Sequence, residues 1–355
     1  MNRPSLAVTT TSTIRRRGLL LGGLASTALL AAGCSDSAGA SGSGSKELRI
    51  GYFAFPSGDL LVKNRGLLQK ALPDHKITWI KFDSGASVNQ AFIGKSLDIA
   101  ALGSSPLARG LSGSSPIPYK VAFILDVAGE NEALIAHKDS GVTEVAGLKG
   151  KVVATPFAST AHFSLLAALE TAGLKATDVK LIDLQPQAIL GAWQRKDIDA
   201  AYVWLPTLDE LRKTGTQLTS SARIATAGKP TLDLGVVTDA LIARDPAAID
   251  AWRKVQAEAL RSIKADPAAA ARTVAAELGI PEADAVAQLK QGVFLTPEEV
   301  SSPEWLGVEG QPGKLATYLT SAAQFLAAQK QVPSAATADT ITKALYLKGL
   351  PDVLG

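Results

Sequence analysis

Asp98-Ile99-Ala100-Ala101-Leu102 is a short apolar run that breaks into Gly103-Ser104-Ser105-Pro106. Five residues suit a buried strand better than a helix, and Gly-Ser-Ser-Pro suits a tight turn into a helix start. Pro106 then falls in the first helical turn, where its missing N–H costs nothing. The same unit recurs upstream. Ile77 to Phe82 is strand-like and meets Asp83-Ser84-Gly85-Ala86-Ser87, with a helix expected to about Gly94; Leu48 to Phe53 is strand-like and leads to a helical stretch over 58–72. Tyr119 to Leu125 and Glu132 to His137 are further strands. The pattern then restarts: Lys151 to Thr155 as strand, a helix after Ser159-Thr160 to about Gly173, Val179 to Leu184 as strand, Gln187 to Lys196 as helix, Asp199 to Trp204 as strand, and Leu208 to Lys213 as helix. Leu232 to Thr238 is again strand-like. From Pro246 the chain is Ala-rich and helical, broken at Pro267, Pro281, Pro297 and Pro312. Two β-α-β runs of similar size predict two α/β lobes. The expected division is 47–133 with 237–355 as the first lobe and 134–236 as the second, with segments near 132–137 and 232–238 crossing between them.

The chain has 355 residues, 46% of them apolar, with 36 Lys and Arg against 33 Asp and Glu. That length and apolar content exclude a disordered chain and allow two cores. The net charge of +3 is misleading. Residues 1–33 hold Arg3, Arg15, Arg16 and Arg17 and no acid, so the remainder carries 32 basic and 33 acidic residues. No basic stripe remains to suggest nucleic acid. A single Cys excludes a disulfide framework and a thiolate cluster. His75, His137 and His162 stand apart, so neither a metal nor a cofactor is expected.

Arg15-Arg16-Arg17 precedes an uncharged run from Gly18 to Gly33, too short to span a membrane and typical of an export signal. It ends Leu30-Ala31-Ala32-Gly33-Cys34, the pattern of a bacterial lipobox, so Cys34 is the expected lipid-bearing first residue of the mature chain. Arg16-Arg17-Gly18-Leu19-Leu20 also resembles a twin-arginine signal, and the choice of export route stays open. Residues 34–46, rich in Ser, Gly and Ala, read as a flexible tether. The folded part is therefore expected on the outer face of the cytoplasmic membrane.

Three strand-to-helix turns carry small hydroxyls and no cation: Ser84-Gly85-Ala86-Ser87, Gly103-Ser104-Ser105-Pro106 and Ser159-Thr160-Ala161-His162. Helix starts expose unpaired N–H groups and a partial positive charge, and several converging on one point make an anion site. Ordinary helix capping is the competing reading of each turn. None is a phosphate-loop or dinucleotide fingerprint, and no G-x-S-x-G elbow appears, so nothing predicts an enzyme.

These turns, with Phe82-Asp83-Ser84-Gly85-Ala86-Ser87, Leu102 to Ala108, Pro156 to Leu169, Leu184-Gln185-Pro186, Ala192 to Trp204 and Pro230-Thr231-Leu232-Asp233, resemble the taurine-binding proteins of ABC importers. The resemblance covers most of 47–350. It implies an α/β, two-lobed periplasmic-binding-protein-like fold of type II with a two-segment hinge. It also implies a monomer that closes on taurine or a related sulfonate and delivers it to a permease with ATPase subunits.

For such a ligand, the sulfonate is expected on Ser104, Ser105, Ser159, Thr160 and His162, with Ser84 beside them. Backbone N–H and hydroxyl donors suit its three oxygens. The ammonium is expected on Asp233 and Glu132, with the Trp204 ring beneath it. Asp233 as a turn carboxylate and Trp204 as core are the alternatives. Trp193 is expected in the core, and Gln187 and Phe55 are weaker cleft candidates. Ala161, in place of a second Thr, and Gly235 are departures expected to alter the anion site or the pocket.

Overall fold

The computed structural model describes residues 46–354; the expected signal segment, Cys34 and the tether up to Ser45 lie outside the described residues. The first strands are β1 (Lys46–Phe53), β2 (His75–Phe82), β3 (Ile99–Gly103) and β4 (Tyr119–Val127). After them come β5 (Glu132–His137), β6 (Val152–Thr155), β7 (Lys180–Asp183), β8 (Ala200–Trp204), β9 (Gly215–Ser220) and β10 (Leu232–Thr238). They form two sheets, ordered β2-β1-β3-β10-β4 and β7-β6-β8-β5-β9. The two orders are the same design. Three parallel strands stand side by side, and an antiparallel strand is wedged before the last. In each sheet the wedged strand is the one the chain lays down just after crossing from the other. This is the two-lobed type II arrangement.

The segments expected to be crossings, 132–137 and 232–238, are thus interior strands. The crossings themselves are the short stretches before them, 128–131 and 227–231. The physical reason is backbone pairing: a crossing with unpaired N–H and C=O groups at the heart of the molecule would be costly, and threading it into the sheet satisfies them. The stretches lie together, with the Ala128 N–H donating to the Thr231 carbonyl at 2.9 Å. The second lobe was expected over 134–236, but residues 232–236 pair with β3 and β4 in the first sheet.

Along β5, Ala133 and Ile135 enter one core while Leu134 and Ala136 enter another. Successive strand residues point to opposite faces, so β5 is covered on both sides, which is why this inner strand reads as an apolar run. The helical C-terminal third joins the core of the first sheet. Trp252, on the helix Pro246–Ala265, meets Phe123 of β4 edge-on at 6.0 Å. The neighbouring Arg253 is fully buried and donates to the carbonyls of Ala122 and Lys348. Residues 344–346 cover the outer edge of β4 through Val121.

Gly235 is part of this packing and not of the pocket. A Cβ built there would run into Cη2 of Trp252. We expect Gly235→Ala to lower stability by about 1–3 kcal/mol through overpacking, read as a fall in thermal midpoint, with ligand affinity of the folded protein unchanged.

Candidate functional site

The carboxyl ends of the parallel strands in both sheets face one cleft, the place where open α/β sheets collect ligands. A small cavity of about 40 Å³ lies there, the space of a few water molecules. Its walls come from both lobes. Gly85, Gly103 and Pro106 belong to two first-lobe helix starts, Ser159 and Thr160 to a second-lobe helix start, and Phe55, Glu132, Trp204, Asp233 and Gln288 are among the other lining residues. The helices are Gly85–Ile93, Ser104–Gly110 and Thr160–Thr171. The lobes are closed on one another. A Cβ built on Gly103 would stand 2.7 Å from Cγ2 of Thr160, and Phe163 of the second-lobe helix meets Phe325 edge-on at 4.9 Å.

A hydroxyl has one proton to give, so its existing partners decide what it offers a ligand. Ser159 donates to the Pro156 carbonyl at 2.6 Å while accepting from the His162 N–H, which caps the helix. Thr160 donates to Glu132 at 2.5 Å. Both protons are therefore used within the protein, and what these cavity-lining residues have left to donate is backbone N–H. Ser104 accepts from the Leu232 N–H at 3.1 Å, which leaves its own proton to give. Ser105 follows Ser104 on the same helix start and Ser84 precedes the helix Gly85–Ile93; both are buried, and neither is among the residues lining the cavity.

His162 does not line the cavity. Its Nδ1 accepts from the Ala158 N–H, and its ring stacks on Phe157 at 4.5 Å. Burial pushes its pKa down to about 4, so it brings no positive charge to an anion at neutral pH. Ala161 is fully buried in the second-lobe core beside Leu165, turned away from the cavity, so its missing hydroxyl is not missing from the site. Trp193 is a core residue whose Nε1 donates to Thr214. Gln187 and Phe55 share a neighbouring groove at the cleft mouth.

Glu132 is buried and accepts from Thr160, Ser221 and, at 3.5 Å, Thr231. Burial raises its pKa and these hydroxyls oppose the rise. Trp204 is its register partner across β5 and β8. Asp233 is the register partner of Asp126 across β10 and β4. Burial and then the Glu132 charge push Asp233 up to about 7, and burial with the Asp233 charge holds Asp126 well above the carboxylate range. Asp59 is also buried, pushed up to about 6, and accepts from Gln256. Among the described residues no Lys or Arg forms a salt bridge with these four acids.

Asp126, Asp59 and Gln288 escaped sequence reasoning. Asp126 closes the apolar run Tyr119 to Leu125, and a lone acid ending such a run was its only signal. Gln288 is 4% exposed, its Oε1 has no partner among the described residues, and its Nε2 donates to Asp209 of the second-lobe helix Thr207–Arg212 at 3.0 Å. It therefore bridges the cleft, lines the cavity and keeps a buried acceptor without a partner among the described residues.

Residues 41–279 match the NMT1-like family. The chain is 36% identical over 266 residues to the taurine-binding periplasmic protein of Escherichia coli K12, spanning 73% of this chain and 80% of that one. The solved alkanesulfonate-binding protein SsuA of Xanthomonas axonopodis pv. citri, bound to MOPS, has a TM-score of 0.69 at 22% identity, over 84% of this chain and 98% of that one. The desulfurization enzyme DszB, solved as a variant in complex with biphenyl-2-sulfinic acid, has a TM-score of 0.62 at 16% identity, over 87% of this chain and 99% of that one. The match over residues 41–279, with 36% identity to a relative over most of its length, shows that the chain belongs to the NMT1-like family.

Proposed function

We propose that the protein is the extracytoplasmic binding component of an ABC importer and that its ligand is taurine. The observation that carries this reading is the pairing of two walls. One is built from helix starts that suit an anion. The other is built from buried acids that have no cation among the described residues. A zwitterion with a sulfonate and an ammonium at opposite ends answers both. Backbone N–H groups at Gly85, Gly103 and Thr160, with the Ser104 hydroxyl, receive the sulfonate oxygens. Asp233 and the free Gln288 oxygen receive the ammonium, while Glu132 contributes charge through its hydroxyl-bonded carboxylate and Trp204 its ring face. The 36% identity to a taurine-binding protein supports the same choice.

Around this site the importer role is supported by the family, and the lipid anchor by the Leu30-Ala31-Ala32-Gly33-Cys34 pattern. The monomer is exported, held to the outer face of the cytoplasmic membrane by lipid on Cys34, and passes its ligand to a permease driven by cytoplasmic ATPase subunits. A second reading keeps the fold and takes an unaminated alkanesulfonate, favoured by the alkanesulfonate-binding structure. The fold also occurs in DszB, so function rests on the site and not on the architecture.

Calorimetric titration with taurine, ethanesulfonate and β-alanine separates the readings. Taurine is expected to bind tightest, because the other two each leave one wall unpaired. A tighter ethanesulfonate complex would favour the second reading, and no heat with either sulfonate would end both.

A further inference from the structure

Asp126 has no part in the assignment above, yet it sits behind it. It is 1% exposed, and among the described residues its carboxyl oxygens meet no donor other than Asp233 itself. Its side chain shares a sheet face with that of Asp233, because directly paired residues of antiparallel strands point the same way. The other charged groups acting on this pair are Glu132, at the start of β5, and Asp59, on the helix Gly58–Asn64. Asp59 is met by the neutral Gln256 amide from the helix Pro246–Ala265. Every one of these charges is negative. Two carboxylates facing each other in a dry site cannot both ionise.

We propose that Asp126 is a specificity-determining residue that keeps its proton and points it at Asp233, so that the cavity accepts an amine-bearing ligand by exchanging the proton of Asp233 for the ligand's ammonium. The proposal rests on the zwitterion reading and adds to it a fixed proton count. In the empty protein the pair is Asp126–COOH beside Asp233–COOH. When R–NH₃⁺ enters, Asp233 ionises, its proton leaves to solvent, and the pair becomes Asp126–COOH beside Asp233–COO⁻ with the ammonium against it. No bond other than that O–H breaks. An unaminated sulfonate offers nothing to replace the proton, so Asp233 stays neutral and its complex releases none.

The sign of the pH dependence follows. Asp233 holds its proton in the empty protein below about pH 7 and loses it in the taurine complex. Taurine binding therefore releases a proton at acidic pH, and affinity rises with pH until the empty site has ionised by itself. Between pH 6 and pH 8 the gain is about tenfold. Ethanesulfonate shows no such gain.

The test is titration calorimetry of the purified protein at pH 6 and pH 8, each in two buffers of different ionisation heat, with taurine and with ethanesulfonate. The expected result at pH 6 is about one proton released per taurine and none per ethanesulfonate. Asp126→Asn supplies the second measurement. Asparagine keeps the shape and a neutral donor towards Asp233, so about one proton per taurine is still released at pH 6. Asp126→Leu removes the donor that favours the ionised Asp233, so Asp233 ionises only at higher pH, taurine binds more weakly at both pH values, and ethanesulfonate binding is unchanged. Taurine binding without proton release by the unaltered protein, or a taurine affinity in Asp126→Leu equal to that in Asp126→Asn, overturns the proposal and leaves the taurine reading standing. Absence of taurine binding at both pH values overturns that reading and the proposal with it.

Discussion

Asp233→Asn weakens taurine binding by about ten- to a hundredfold and leaves ethanesulfonate binding unchanged. The magnitude is that of one charge-assisted hydrogen bond, about 1.5–3 kcal/mol. The asymmetry comes from what surrounds the residue. Asp233 lines the cavity, faces Asp126 and feels Glu132, with no cation among its described neighbours. Asparagine cannot ionise, which takes a charged acceptor from an ammonium, but a ligand without an amine meets a neutral group in either protein. Calorimetry of both ligands on one preparation decides the matter. Equal losses for the two would make Asp233 a structural carboxylate, and the ammonium assignment would fall.

Gly103→Ala produces a different pattern. Gly103 has φ −62° and ψ 149°, a conformation open to any residue, so the added methyl strains no backbone. What it meets is Cγ2 of Thr160, 2.7 Å away on the opposite lobe. Pro106 on the same lobe also stands 3.3 Å away in either form, but the shorter contact exists only when the lobes close, so the closed form bears the larger penalty, about 1–3 kcal/mol on the scale of overpacking. Every ligand should therefore bind about ten- to a hundredfold more weakly, with or without an amine. Small-angle scattering at saturating taurine should retain a larger radius than the unaltered protein shows. Adding Thr160→Ser removes the opposing methyl and keeps the hydroxyl that bonds Glu132, so the double variant should regain most of the lost affinity. A double variant no better than Gly103→Ala would mean that the lobes do not meet at this point in the bound state.

Much of this architecture is legible in the chain because buried strands of an α/β sheet are short apolar runs with Gly, Pro and Ser at their ends. Glu132 to His137 and Leu232 to Thr238 are strands with the limits that reasoning gives them. Their role is less visible, since being wedged into a sheet or crossing between sheets leaves the same apolar signature. β9 escapes for the opposite reason: Gly215-Thr216-Gln217-Leu218-Thr219-Ser220 is mostly polar, as an edge strand paired on one side tolerates.

The site divides in the same way. Helix starts carry Ser, Thr and Gly in recognisable turns, so Gly103, Ser159 and Thr160 can be found by inspection. Which way each hydroxyl spends its proton cannot, because the partners, such as Glu132 for Thr160, arrive from distant segments. Asp126 gains meaning only from its pairing with Asp233 on a strand laid down much later. Gln288 lies in the Ala-rich helical third, whose periodicity speaks of packing and conceals a cavity-lining residue.

The wedged strands also fix an order of assembly. The second sheet is written in one uninterrupted stretch, from Glu132 to Ser220. The first is not: β3 and β4 are synthesised early, but the strand that joins them ends at Thr238, and the segment that seals β4 on its far side is residues 344–346. As the chain emerges from its N-terminus, the half that comes out first waits longest with raw strand borders, which are the surfaces most prone to wrong partners. The lobe that begins the polypeptide is the last to be finished, so C-terminal truncation should injure the oldest part of the nascent molecule before the youngest.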